Sequence, residues 1–353
     1  MSAPFLSIVV PMREGFSDHW FQNLLRVRGS VEFILVHPPG TQLALCHDTR
    51  MRQLISPFRG EIIQRLNGML NASGQYLLTF NCDEYINPDV PALAQRYFEQ
   101  FPKSWVMRLA KDEFPHGDMT ALDAPWGELP EDLTSLPICR KADGNLRLYD
   151  EAGHMLEIPI APMHNRFDWR CIWRGRHDHL GPHAENFDKK VWRNDRVQVA
   201  LQEVLQGFRL MGPVKYLPFW CLDRLLGLAI QAKFYDSTQP EQVIGHKLPG
   251  PAQLRVEDNP PEYRRRGRFY VFAEIILIRR FPQYGYIWNL VVHQIREFPV
   301  RAYLSVHRKL SQKRAQPVPQ PILQTVPSVS GAATVVPLQA SESNADKSDR
   351  RSA

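Results

Sequence analysis

The chain has 353 residues, more than one average domain, and 44% of them are hydrophobic, so it can bury a sizeable core. A charged content of 23% is ordinary for a globular protein and excludes disorder over most of the chain. The formal net charge of +6 favours anionic partners such as nucleotides, nucleic acid or an acidic membrane surface, without choosing among them.

Cysteine spacing and the amino terminus bear on the compartment. An odd number of cysteines without a C-x-x-C pair argues against a disulfide framework or a zinc ribbon; they are Cys46, Cys82, Cys139, Cys171 and Cys221. The first apolar run has strand length and no positive segment before it, so we expect no signal peptide. No stretch reaches the roughly 18 apolar residues of a spanning helix. We expect a cytoplasmic protein, and peripheral contact with the inner face of the membrane stays an open alternative.

Strand and helix patterns alternate from the start of the chain. Residues 5–10 predict a buried strand ended by Pro11, and residues 31–36 predict a second strand, broken by the His37-Pro38-Pro39-Gly40 run. Between them, Ser17 or Asp18 can cap a helix, and Gly29 is a natural stop. The apolar stripe of that helix is Trp20, Phe21, Leu24 and Leu25.

The next units continue this alternation. Residues 43–54 predict a second crossover, and residues 61–63 predict a short strand. A helical pattern follows, which Gly74 can close in a left-handed conformation, and Tyr76–Phe80 then predicts a buried strand. Strand-helix-strand order of this kind indicates an α/β fold with a mostly parallel, Rossmann-like sheet flanked by helices and joined by right-handed crossovers.

An acidic turn follows the strand at residues 76–80. Asn81, Asp83 and Glu84 stand at its carboxyl end, where open α/β sheets bind ligands. Their hard oxygen atoms suit Mg²⁺ or Mn²⁺ on a phosphorylated substrate. The alternative is a solvated acidic turn without a ligand.

These residues resemble a known family. The runs SIVVPMRE (7–14), VEFILVHPPG (31–40) and RLNGMLNASGQYLLTFNCDEYINPDV (65–90) are similar to the amino-terminal half of family 2 glycosyltransferases, which have a nucleotide-sugar-binding fold of the glycosyltransferase A type. The most specific part combines Asn67-Gly68, Gly74, an apolar strand, Asp83 and Pro88.

The resemblance implies a set of site residues. Asp83 and Glu84 would bind Mn²⁺ or Mg²⁺ on the donor diphosphate. The expected donor-binding residues are Pro11, Arg13, Glu14, His37, Asn67 and Asn81. The family commonly has an acid where Asn81 stands, and often ends its second strand in a base-reading acid where His37 stands.

The middle of the chain alternates regular and irregular segments. Residues 90–101 predict a helix and 104–109 a strand, while the proline-rich residues 111–137 predict a long loop, which is either an acceptor-facing insertion or merely structural. Residues 146–149 and 155–158 predict the strands of a hairpin.

Polar and aromatic residues concentrate between residues 164 and 195. His177, His179 and His183 raise the question of a metal cluster, but their spacing favours hydrogen-bonded loop histidines. A helix and a strand (214–217) follow, and the resemblance places Asn194-Asp195 on the family's acidic pair. Asp195 is then either the general base for the acceptor hydroxyl or a plain helix cap, with Asp178 as the substitute base.

The remaining chain predicts a helix at 222–232, a loop at 240–261, a basic aromatic run at 262–270 and helices at 269–281 and 287–306. In the last helix, the expected apolar side is Trp288, Val291, Val292, Ile295 and Phe298. It either packs on the catalytic domain or, through residues 284–310, contacts anionic lipid.

We therefore expect three regions: a glycosyltransferase-like domain at 1–220, a helical extension at 221–310 and a disordered tail at 311–353. The predicted function is metal-assisted, inverting transfer of a sugar from a nucleotide diphosphate donor to a glycan, lipid or small-molecule hydroxyl. A non-catalytic nucleotide-sugar-binding or glycan-binding protein on the same fold is the alternative. Nucleic-acid binding lacks a recognised motif and is not expected.

Overall fold

The computed structural model describes residues 3–118, 120–140, 153–208, 219–257 and 273–314. The chain forms two compact units, residues 1–306 and 307–353, and the fold below is that of the first. The predicted segments 146–149, 214–217, 262–270 and 315–353 lie outside the described residues.

The described strands are β1 (Leu6–Pro11), β2 (Val31–His37), β3 (Met51–Ile55), β4 (Tyr76–Thr79), β5 (Glu84–Ile86), β6 (Val106–Phe114), β7 (Ile138–Cys139), β8 (Met155–Pro159), β9 (Lys190–Arg193) and β10 (Val243–Val256). The described helices are α1 (Asp18–Leu25), α2 (Glu61–Leu70), α3 (Val90–Gln100), α4 (Thr120–Asp123), α5 (Asn194–Phe208), α6 (Phe219–Lys233), α7 (Ile275–Arg280) and α8 (Gly285–Arg314). A 3-10 turn spans Trp169–Ile172.

One sheet organises the unit. Its strand order is β3-β2-β1-β4-β9-β6-β10-β8-β7, and β5 pairs with β10 outside this path. The half β3-β2-β1-β4 is entirely parallel, and β9 then runs antiparallel to both β4 and β6. The predicted α/β class is confirmed: the sheet is parallel through β3-β2-β1-β4 and helices flank it.

Helices cover both faces of the sheet because side chains alternate along each strand. On β1, Val9 packs into one core with residues of α2, α5 and α6. Ile8 and Val10 pack into the opposite core with α1 and α3. The strongly periodic elements at residues 18–25, 90–100, 194–208 and 219–233 are helices, as predicted.

Two early assignments are wrong. Residues 43–54 form no helical crossover: residues 41–48 are irregular and Met51–Ile55 is strand β3. Residues 61–63 begin α2 instead of forming a strand, because Ile62 continues into the helical stripe of Leu66 and Met69, all buried.

Gly74 does not end α2 in a left-handed conformation, as the sequence predicts. Its φ is not among the positive values of the described glycines. A Cβ at Gly74 would lie 2.6 Å from Ser7 Oγ and 2.7 Å from Ser7 N, so the glycine is needed where the chain passes β1. Gly68 serves α2 in the same way, since its Cβ would lie 2.3 Å from Val9 Cγ1.

The loop predicted at residues 240–261 is also wrong. Val243–Val256 is a strand between β6 and β8. The prolines misled the prediction, but the ladder tolerates them because its register shifts between Lys247 and Pro251 and again before Gln253. Where the sequence predicts a helical extension from residue 221, the structure has α6 followed by a strand that completes the sheet.

The expected apolar side of α8 is right at Val291, which is buried, and wrong at Trp288 and Ile295, which are exposed. The other apolar side chains that this helix buries are Tyr286, Ile287 and Leu290. None of the helices in the described ranges is long and apolar enough to cross a membrane.

A buried carboxylate ties β2 to the turn before β4. Glu32 Oε1 accepts hydrogen bonds from Ser7 Oγ (2.5 Å), Ser73 N (2.6 Å) and Gly74 N (3.2 Å). Burial alone would raise the pKa of Glu32, but bonds from Ser7, Ser73 and Arg52 outweigh it and lower the pKa below its ordinary value.

We expect Glu32→Ala to lower the free energy of unfolding by about 2–4 kcal/mol, because it leaves buried donors unpaired. A group with a lowered folded pKa stabilises above its unfolded pKa and loses that contribution as pH falls through the folded value. The cost should therefore shrink in acid, as urea unfolding at several pH values would show. Glu131→Ala, at an exposed site, is the matched control; an equal cost in both variants would contradict the assignment.

Candidate active site

The parallel half of the sheet changes its direction of growth at β1, because β2 and β3 lie on one side of it and β4 on the other. In open α/β sheets, ligands bind outside the carboxyl ends of the strands at such a switch point. The loop after β1 and the loop after β4 flank this crevice. Arg13 and Glu14 stand on the first loop, and Asn81 and Asp83 on the second, so the structure brings these expected site residues to one edge.

The two carboxylates expected to bind metal, and Asn81 beside them, are each held by a cationic side chain from another part of the fold. These contacts are Arg65 Nη2 to Asn81 Oδ1 (2.5 Å), Arg255 Nε to Asp83 Oδ2 (3.0 Å) and Lys111 Nζ to Glu84 Oε1 (3.2 Å). The cations come from α2, β10 and β6, respectively. The acidic turn is thus closed around positive charge, not solvated.

The two carboxylates do not fit the expected Mn²⁺ or Mg²⁺ site. Asp83 and Glu84 are buried, Glu84 forms part of strand β5, and its second oxygen accepts a hydrogen bond from Asn81 N (2.9 Å). Burial, together with the nearby Asp188 carboxylate, raises the pKa of Glu84. Within the described ranges, no group of three His, Cys, Asp or Glu side chains is arranged to hold a metal ion.

Lys189 lies at the same edge and carries backbone strain. Its φ of 62° is the only positive value among the described residues other than glycine. Such a conformation is costly for a residue with a Cβ, and it is often retained where a side chain must point in a required direction. Lys189 Nζ lies 3.5 Å from Glu113 Oε1, which also pairs with Lys111 at 2.7 Å. Burial and the neighbouring Lys111 lower the pKa of Lys189 to about 8.

A second pair of carboxylates stands where β9 begins. Asp188 N donates to Asp223 Oδ1 on α6 (2.5 Å). The Asp188 carboxylate lies 3.5 Å from Thr79 Oγ1 and 3.7 Å from Arg65 Nη1. Burial, with the Asp188 charge, raises the pKa of Asp223 to about 6. Burial, with other nearby cations, lowers the pKa of Lys190 to about 7. Perturbed pKa values of this kind cluster at functional sites, so Asp223 and Lys190 mark this position as a candidate site.

The remaining expected donor residues lie around the first loop. Pro11 is buried as the last residue of β1. His37 is fully buried and its Nε2 lies 2.9 Å from Gln53 Oε1; burial lowers its pKa, so the ring is neutral. Asn67 is half-buried on α2, where its Oδ1 accepts a bond from Asn71. The structure therefore gives His37 and Asn67 local partners within the fold.

Asp195 lies at the wrong edge to act as the base. Because β9 runs antiparallel to β4, Arg193 pairs with Tyr76, the first residue of β4. The next residue, Asn194, donates to the carbonyl oxygens of Ala72 and Gly74, before β4 begins. At about 3.3 Å per residue, at least roughly 10 Å of strand separates this position from the acidic turn. Asp195 is the second residue of α5, and its carboxylate accepts a hydrogen bond from Arg196 N.

Asp178 belongs to a buried network away from the acidic turn. Its two oxygens accept from Arg176 Nε (2.5 Å) and Asn289 Nδ2 (2.9 Å). Arg176 also binds Glu185. Burial alone would raise the pKa of Glu185, but the charges of Arg176 and Arg224 outweigh it and lower this pKa to about 2. Asp178 is thus charge-compensated in a network that fixes the loop to α8.

The three histidines of this loop do not converge on one point. His183 Nε2 lies 3.0 Å from the hydroxyl of Tyr286, whereas the His179 ring stacks near His293. This agrees with the expectation of hydrogen-bonded loop histidines.

Sequence reasoning missed the residues that complete the site: Lys111, Asp188, Lys189, Asp223 and Arg255. They come from β6, β10, the residues directly before β9 and helix α6, so no local motif unites them. The signal in the sequence is the charged Asp188-Lys189-Lys190 run at the start of β9.

No protein-family model matches the sequence, and no curated protein matches it. Similar solved structures include S. aureus TarS 1–349 in complex with UDP, with 12% identity over 72% of this chain and a TM-score of 0.40. In complex with UDP-GlcNAc, the same protein gives 11% identity over 78% of this chain and a TM-score of 0.42. The chain covers 60% and 66% of those two chains. Similarity this weak carries no argument about activity, so a functional assignment depends on the residues of this chain.

The raised pKa of Asp223, the buried carboxyl on α6, should make the free energy of unfolding depend on pH. The raised pKa of Asp223, about 6, stabilises the fold below the ordinary pKa of an Asp, and this contribution is lost as pH rises through the folded value. We expect Asp223→Asn to gain about 1–2 kcal/mol of unfolding free energy relative to wild type between pH of about 4 and 6.

Chemical denaturation across that pH range measures this difference. Asp112→Asn changes an exposed carboxylate on β6 and should show no such trend. A flat difference for Asp223→Asn would show that this carboxyl is not perturbed.

Proposed function

We propose that this chain transfers a glycosyl group from a nucleotide diphosphate sugar to a hydroxyl of a glycan, lipid or small molecule. The observation that carries the proposal is the charged cluster of Asp83, Glu84 and their cationic partners at the switch-point edge of the sheet. The resemblance of residues 5–90 to family 2 glycosyltransferases supports the same class of donor.

Protein cations would take the role that the resemblance assigns to a metal ion. A diphosphate leaving group gains negative charge as its bond to the sugar breaks, and fixed positive groups stabilise that charge. Arg255, Lys111 and Lys189 stand at the required edge, and each pairs with a carboxylate that can release it to a stronger anion. The charge that a Mn²⁺ or Mg²⁺ ion would supply is therefore assigned to these three side chains.

Asp188 is the base in this proposal. The acceptor oxygen forms a bond to the anomeric carbon, the bond from that carbon to the diphosphate oxygen breaks, and the hydroxyl proton passes to the Asp188 carboxylate. A single displacement of this kind inverts the anomeric centre. Asp223, with a pKa of about 6, accepts a hydrogen bond from Asp188 N and so fixes the backbone that carries this base.

Donor binding is the first test. Nucleotide diphosphate sugars, screened as a panel of uridine and guanosine derivatives, should raise the melting temperature equally with a chelator and with added Mn²⁺. A donor at about 100 times its dissociation constant stabilises the fold by about 2.7 kcal/mol. Arg255→Gln should weaken binding at least about tenfold, because it removes a charged contact to phosphate. Lys103→Gln, at an exposed site, is the matched control.

The outcomes separate the parts of the proposal. Donor binding that requires Mn²⁺ would show that the site uses a metal ion, and would overturn the assignment of that role to Arg255, Lys111 and Lys189. Binding without any release of nucleoside diphosphate in the presence of acceptors would favour a non-catalytic binding protein. The absence of binding by every donor would overturn the glycosyltransferase proposal itself.

A substitution at Lys189 should separate stability from activity. Lys189→Gly removes the Cβ that makes a φ of 62° costly, so the free energy of unfolding should be unchanged or rise by up to about 1 kcal/mol. Loss of the cation should nevertheless lower nucleoside diphosphate release about 100-fold. Unfolding curves and a coupled release assay measure the two effects. A variant that is more stable and fully active would show that the strain serves no function.

A further inference from the structure

A second feature of the unit is unrelated to the charged crevice. The segment at residues 165–180 lies along α8 and is fixed to it at three levels. A Cβ at Gly285 would lie 2.1 Å from Phe167 N; Asn289 Oδ1 accepts from Asp168 N (2.7 Å); and a Cβ at Gly175 would lie 2.8 Å from Arg296 Nη1. The backbone of this segment is therefore held in place before any ligand arrives.

Large apolar side chains on this segment nevertheless point to solvent. Trp169 is 66% exposed and Trp173 is 62% exposed, both at the 3-10 turn, with Ile172 between them also exposed. On α8, Trp288 and Ile295 are also exposed. Single exposed hydrophobic residues are normal, but a concentration of them on an anchored segment marks an interaction surface.

Positive charge surrounds the exposed indoles. Arg170 and Arg174 flank the turn, and Arg296 lies beside it on α8; all three are exposed. The acids of the segment are already engaged: Asp168 accepts from Arg170 N, and Asp178 accepts from Arg176 and Asn289. The exposed face therefore carries arginine charge without a matching set of exposed carboxylates from its own segment.

We propose that this surface, formed by residues 169–174 with Trp288, Ile295 and Arg296, docks the protein on an anionic lipid bilayer. Trp rings settle at the membrane interface, where one edge is apolar and the other is wet, and arginines next to them attract acidic headgroups. Ile172 and Ile295 favour lipid over a soluble glycan, because aliphatic side chains gain from acyl chains and offer no stacking face to a sugar. The inference goes beyond the proposed transfer reaction and holds whether or not the chain is a glycosyltransferase.

Co-sedimentation of the full chain with vesicles tests the proposal. The protein should bind vesicles of equal parts phosphatidylcholine and phosphatidylglycerol, bind phosphatidylcholine vesicles far less, and lose binding as salt rises. Reversing two charges with Arg170→Glu and Arg174→Glu together should lower the partition coefficient at least about tenfold. The pair Trp169→Ala and Trp173→Ala should also lower it roughly tenfold, while the preference for anionic vesicles remains.

Two controls keep the test specific to this surface. Lys103→Glu reverses an exposed charge elsewhere, and Leu45→Ala removes a side chain that is 98% exposed; neither should change binding. All variants should melt at the wild-type temperature, because the altered side chains are exposed. Equal binding to both kinds of vesicle, or binding that survives both double substitutions, would overturn the proposal. So would the absence of vesicle binding together with surface-dependent binding of a soluble oligosaccharide.

Discussion

A charge removed from water must be paired, and this constraint shapes the corner after β4. Asn81, Asp83 and Glu84 are each met by a cation, and those cations come from α2, β10 and β6. Four distant stretches of chain must therefore meet before any one of these groups is satisfied. The site therefore depends on the tertiary fold, which brings three cations from distant elements to the turn, more than on the local acidic motif.

Local sequence patterns predict many of the strands and helices of the fold. The strands at residues 6–11, 31–37 and 76–79 and the helices at 90–100 and 194–208 have clear periodicity, and the structure has them close to where the sequence predicts. Pairing between distant segments is not encoded in this way. Strand 243–256 was missed because its prolines mimic a loop, and they are tolerated only where the ladder shifts register. The sequence of that strand does not indicate which strands pair with it.

The candidate site shows the same division. Asp83 and Glu84 could be placed at a carboxyl edge, because the strand before them is evident in the sequence. Asp195 is predicted as the base from the family resemblance, but strand direction decides which edge of the sheet a residue reaches, and β9 runs antiparallel to β4. The positions of Lys111, Lys189 and Arg255 at the site depend on the order of the strands in the sheet, which local sequence patterns do not determine.

The position of β10 has a further consequence for how the molecule forms. This strand lies in the interior of the sheet, between β6 and β8, and it pairs with residues 106–114 that precede it by more than a hundred positions. Contacts of such high sequence separation close slowly, because the loop entropy is lost before the contact forms. During synthesis, β6 must wait with an unpaired edge until residue 256 has emerged, and in that interval the nascent chain is most exposed to aggregation and to chaperone capture.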